Sequence, residues 1–78
     1  MTIQILGMGC PKCQTLEANA NKAVARAGLD AEVVKVTDAD AIAEMGVIVT
    51  PALAVDGAVK KAGKVLSVEE IIDLIKRA

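Results

Sequence analysis

Between Leu6 and Cys13 the apolar residues change period, and that change limits the folds open to this chain. Thr2 to Leu6 is a short apolar run ended by a glycine, the pattern of a buried strand. Beyond it, Cys13, Leu16, Ala20, Val24 and Ala27 fall at helical intervals, while Gln14, Glu17, Asn21, Lys22 and Arg26 take the opposite face. Pro11 suits the first helical turn, because it lacks only an N–H that would be unpaired there anyway. Gly28 ends the helix as a left-handed cap. Ala31 to Val36 is rich in β-branched residues and reads as a second strand. Residues 2–36 therefore spell a βαβ unit, with its two strands parallel.

The second half reads differently. Thr37 or Asp38 can cap a short helix, Ala39 to Met45, closed by Gly46. Val47 to Val49 leads into Thr50-Pro51. Ala52 to Val55 and Ala58 to Lys61 are strands, and Asp56-Gly57 between them is a two-residue hairpin turn. Gly63-Lys64 is a loop. Ser67 and Glu70 form a capping box, and Val68, Ile71, Ile72 and Ile75 make the apolar stripe of a last helix. Lys76 and Arg77 fall in its final turn, where cations suit the helix dipole. The order is β-α-β-α-β-β-α. No internal repeat, linker or low-complexity tract interrupts it, so a single domain is expected over residues 1–78.

Composition narrows the function. A chain of 78 residues buries roughly 60 % of its unfolded surface, so a modest core must suffice. There is no Phe, Tyr or Trp, so Val, Ile, Leu and Ala must fill that core. The missing aromatics also exclude base stacking, and a net charge of −1 gives no basic surface for nucleic acid. The Met1–Leu6 stretch is too short for a signal peptide and has no basic flank. No apolar run approaches the ~18 residues of a membrane span. A cytoplasmic protein without nucleic-acid or membrane partners is expected. In that compartment ordinary thiols stay reduced, so two cysteines are catalytic or metal-binding more often than structural. Cys10 and Cys13 are the only cysteines. A disulfide between them would close so small a loop that it would hardly constrain the unfolded chain.

The pattern resembles a known superfamily. The stretches GMGCPKCQTLEANANKAV, MGVIVTPALAVDG and SVEEIIDLI place Cys-x-x-Cys after a strand, Thr-Pro about forty residues further on before another strand, and a helix last. This is similar to the thioredoxin fold in its smallest form, as in the short glutaredoxin-like, redox-active disulfide proteins of archaea and bacteria. The resemblance implies an α/β fold with a four-stranded mixed sheet in the order 2-1-3-4 and three helices. It implies a thiol–disulfide oxidoreductase with no bound cofactor and a reversible Cys10–Cys13 disulfide. Cys10 would be the nucleophile and Cys13 the resolving thiol, on an active-site loop that includes Gly9, Pro11 and Lys12. Pro51 would be cis and Thr50 would offer its backbone to an extended substrate. The implied partners are protein disulfides and a thioredoxin-reductase-type electron donor, with the protein itself monomeric. The chain also departs from the family. Gly9 stands where thioredoxins usually carry Trp, no acid stands out beside the second cysteine, and Asp56 to Lys61 lacks the Gly-Gly of glutathione-binding relatives.

Elementary electrostatics agrees with an asymmetric pair. A thiol at a helix N-terminus meets unpaired N–H groups and the positive end of the dipole, which favours the thiolate of Cys10. Lys12 adds an exposed positive charge. Cys13, on the apolar stripe, should be more buried and less ionised. Carriage of a soft metal such as Cu(I) by the same two cysteines is the alternative. A helix at Ala39 to Met45, the Thr-Pro, and the proline inside the motif all argue against it. Met8 reads as a half-packed loop residue, Lys60, Lys61 and Lys64 as a solvated edge, and Asp38, Asp40 and Glu44 as helix-start charge.

Overall fold

The computed structural model describes residues 1–9, 11–28 and 30–77, the last by its backbone. Seven elements follow in the order expected: β1 (Thr2–Leu6), α1 (Pro11–Ala27), β2 (Glu32–Val36), α2 (Ala39–Glu44), β3 (Ala52–Val55), β4 (Ala58–Ala62) and α3 (Val68–Arg77). The sheet order is β2-β1-β3-β4. β1 pairs parallel with β2, antiparallel with β3, and β3 pairs antiparallel with β4. This is the mixed α/β sheet that the sequence resemblance implies, with small differences at the ends. β2 begins at Glu32 and not Ala31, α2 stops at Glu44 with Met45 as its C-cap, and β4 runs one residue further, to Ala62.

Strand alternation splits the core into two layers. Ile3, Ile5, Leu53 and Val55 point to one face and pack with Leu16, Ala20 and Ala23 of α1 and Ile71 and Ile75 of α3. Leu6, Ala52 and Ala54 point to the other and pack with Ile42 of α2 and Val47. The inward line of α1 passes through Ala23 and leaves Val24 half-buried, a small rotation from the stripe expected. Two fully buried alanines let α1 lie close to the sheet, which a core without aromatic rings requires. In α3, Ile71 and Ile75 are buried, while Val68 and Ile72 flank them half-buried.

Local hydrogen bonds fix the joints. Asp38, not Thr37, caps α2: its carboxylate accepts the Asp40 N–H at 3.0 Å. Asp56 and Gly57 both have positive φ, 51° and 86°, as a type I′ turn needs. The turn is tied back to the central strand: the Asp56 carboxylate accepts the Thr2 N–H at 2.7 Å, and Gln4 Oε1 accepts the Gly57 N–H at 2.9 Å. The β3–β4 register shifts between Leu53 and Ala54, so Lys60 is the extra residue of a bulge on the exposed edge strand.

The last helix starts as the sequence proposes. Glu70 accepts the Ser67 N–H at 3.0 Å, and Ser67 Oγ accepts the Glu70 N–H at 3.2 Å. Lys64 Nζ sits 2.9 Å from the same carboxylate. The Ser67 backbone hydrogen bond, then that of Lys64, lowers the Glu70 pKa from 4.5 to about 2. A depressed carboxyl pKa contributes stability above its unfolded value, and the contribution is lost as pH falls toward the folded one. Unfolding by urea should therefore become easier between about pH 5 and pH 2, and Glu70→Gln should flatten that acid limb. Ser67→Ala is expected to lose about 1 kcal/mol at neutral pH. An unchanged acid limb in Glu70→Gln would show that the box does not control it.

Candidate functional site

The site forms where β1 gives way to α1. Cys10 lies outside the described residues. Its partner in the motif, Cys13, is in the first turn of α1 and is 5 % exposed. Pro11 is the first residue of that helix, and both Pro11 and Lys12 are exposed. Two bonds secure the turn: Thr15 Oγ1 donates to the Pro11 carbonyl at 3.1 Å, and Gln14 Nε2 to the Gly9 carbonyl at 3.3 Å.

Two glycines here answer to different constraints. Gly9 has a φ of 84° and nothing within 4 Å of where a Cβ would stand. Its need is conformational, and a bulky L residue in the Trp position of thioredoxins would strain this loop. Gly7 has no positive φ and is buried, its N–H bonded to the Val36 carbonyl at 3.0 Å. A Cβ at Gly7 would overlap the Cys13 sulfur and stand 3.2 Å from its Cβ. The same point lies 3.9 Å from Thr50 Cβ. Residues remote in sequence, Cys13 and Thr50, thus meet on either side of Gly7.

The Thr50–Pro51 peptide bond is cis. Pro51 is buried and its carbonyl accepts the Gly63 N–H at 2.8 Å, while Thr50 remains exposed. Two exposed apolar residues precede Thr50, Ile48 at 95 % and Val49 at 57 %, and on the first loop Met8 is 69 % exposed. Met8 is therefore an open loop residue and not the half-packed one expected.

A cleft of about 100 Å³ opens beside Cys13, lined by Gly7, Gly9, Glu17, Lys35 and Thr37 among others. Glu17 lies one helical turn beyond Cys13, and Lys35 on β2 approaches it at 3.8 Å. Sequence reading missed Glu17, although its i+4 spacing from Cys13 placed the two on neighbouring faces of one helix. The helical pattern assigned Glu17 to the solvent side. The parallel strand β2 covers that side and leaves it half-buried. Among the described residues no group of three or more Cys, His, Asp or Glu could hold a metal ion, and no helix is long and apolar enough to cross a membrane.

A βαβ half, an antiparallel hairpin, a terminal helix, and a glycine approached by both a buried cysteine and the threonine before a cis proline define a thioredoxin-like protein. A solved structure described as that of a malarial protein shares this fold, with a TM-score of 0.72 over 97 % of this chain and 93 % of the other at 17 % identity. The thioredoxin-domain family profile matches residues 1–76. A protein named thioredoxin from Methanothermobacter thermautotrophicus is 52 % identical over 91 % of this chain and 92 % of its own length. Another so named, from Methanocaldococcus jannaschii, is 50 % identical over 97 % of this chain and 87 % of its own. The chain belongs to the thioredoxin family and is a thioredoxin-like redox protein.

Burial of Cys13 has a direct consequence in solution. In the reduced, folded protein Cys13 should react slowly with iodoacetamide, and it should react at the rate of an ordinary thiol in urea. Peptide mapping of the alkylated sites would show it; equal labelling of Cys13 in both states would contradict its burial.

Proposed function

We propose that the chain is a single-domain thiol–disulfide oxidoreductase acting on protein disulfides through Cys10 and Cys13. The observation that carries this reading is the convergence of Cys13, Gly7 and Thr50–Pro51 in a member of the thioredoxin family. The Cys10 thiolate attacks one sulfur of a substrate disulfide. That S–S bond breaks, a mixed disulfide to Cys10 forms, and the departing thiolate takes up a proton. Cys13, as thiolate, then attacks the Cys10 sulfur. The mixed disulfide breaks, the second substrate thiol leaves, and the Cys10–Cys13 disulfide remains. A reductase of the thioredoxin-reductase type restores the dithiol with two electrons and two protons. The scheme calls for no bound cofactor, acts with the protein as a monomer, and fits the cytoplasm.

Gly9, Pro11 and Lys12 shape the loop that presents Cys10. The exposed backbone of Thr50, ahead of Pro51, offers an edge to an extended substrate segment, and Met8, Ile48 and Val49 supply apolar contact around it. Cys13 must lose its proton before it attacks. Glu17 is placed to accept it across the cleft, with Lys35 holding the carboxylate.

Thiol counts in glutathione and dithiothreitol redox buffers, on metal-free protein, test the reading. A reversible two-electron transition is expected, lost in both Cys10→Ser and Cys13→Ser. Cys13→Ser should instead accumulate the mixed disulfide. Glu17→Gln should slow resolution by about a hundredfold, the low end for a general base, because water also reaches the cleft. Failure to form an intramolecular disulfide, together with tight binding of one Cu(I), would replace this reading with metal carriage.

A further inference from the structure

A buried glycine with an ordinary backbone conformation invites a question. Such a residue is kept neither for a left-handed φ nor for a turn, so the reason lies in what occupies the place of its side chain. At Gly7 that occupant is the Cys13 sulfur. Gly7 directly follows β1, and Cys13 lies in the first turn of α1. The Gly7 backbone cannot retreat, because its N–H is held by Val36 of β2 and Leu6 beside it is fully buried. The Cα of Gly7 is thus a fixed wall against which the thiol rests.

We propose that Gly7 is a positioning residue for the Cys13 thiol, and that the absent side chain sets where the sulfur stands when it attacks. The inference rests on the resolving role given to Cys13 above. Its physical basis is steric. The sulfur is joined to its backbone through a single torsion, which prefers staggered positions. A methyl group at position 7 overlaps the observed position, and the cheapest response is rotation about the Cα–Cβ bond of Cys13. The Cys13 Cβ, 3.2 Å from the new methyl, needs to give by only a few tenths of an ångström. Thr50, at 3.9 Å, is in ordinary contact and need not move. A Gly7→Ala protein should therefore fold with its resolving sulfur turned away. Misplacement by about 1 Å can slow an attack by up to about a hundredfold.

Reaction of the reduced protein with 5,5′-dithiobis(2-nitrobenzoate) reads the two steps separately. Attack by Cys10 releases the first thionitrobenzoate, and resolution by Cys13 releases the second. In Gly7→Ala the first release should keep its rate, and the second should slow by about ten- to a hundredfold. A stability cycle with Cys13→Ala supplies the independent measurement. Gly7→Ala should destabilise the parent protein, and the same change should be nearly neutral once the Cys13 sulfur is gone. Should Gly7→Ala alone fail to fold, folding of the double variant supports the proposal and failure of both overturns it. It is also overturned if both releases slow alike, if neither changes, or if the stability loss is the same in both backgrounds. Were the parent protein to show no second release, the proposed function would fail, while the stability cycle would still decide whether Gly7 and the sulfur compete for one space.

Discussion

Strand β1 is packed on both faces and paired on both edges, and the other elements take their places from it. Ile3 and Ile5 face α1 and α3, Leu6 faces the α2 side, and all three are buried. β2 binds one edge in parallel and β3 the other in antiparallel register. Even the hairpin turn is tied to this strand, through Thr2 and Gln4. A five-residue strand in a chain without aromatic rings must use both faces, because branched aliphatic side chains supply less apolar area each than rings do.

The position of the site follows from that burial. β1 ends in the sheet interior, so the loop that leaves it brings α1 back over the sheet at short range. Ala20 and Ala23 permit the close approach, and Cys13, on the same line, is carried into contact with Gly7. The cis proline reaches the same place from β3, the neighbour on the other edge. The half-buried Glu17 and its partner Lys35 come from the β2 side. The site thus draws on the ends of the two central strands, on the edge strand β2 and on the first two turns of one helix.

Much of this was legible in the chain. The period change after Leu6, the β-branched run before Thr37, Asp56-Gly57 and the Ser67–Glu70 box each rest on local rules, and each corresponds to an element of the structure within a residue or two. The misses share a cause. Helical periodicity placed Val24 inward and Glu17 in solvent, and took Gly7 as a strand terminator. Periodicity measures angle around a helix axis. It does not register how the helix is rotated on the sheet, nor that β2 lies beside its flank, nor that a sulfur fills the space a glycine leaves.

By itself, the sequence determined the order of elements, the parallel-then-antiparallel halves and the pairing of a Cys-x-x-Cys with a Thr-Pro, because strand alternation, capping and turn chemistry act over a few residues at a time. It also set the net charge and a core without aromatic rings. Only the tertiary structure decided which face of α1 is inward, that Glu17 and Lys35 meet at the cleft, and that Cys13 and Thr50 both approach Gly7. Those contacts join residues of α1, of β2 and of the segments next to β1 and β3, and their distances depend on how closely packed elements approach, a quantity no local pattern contains.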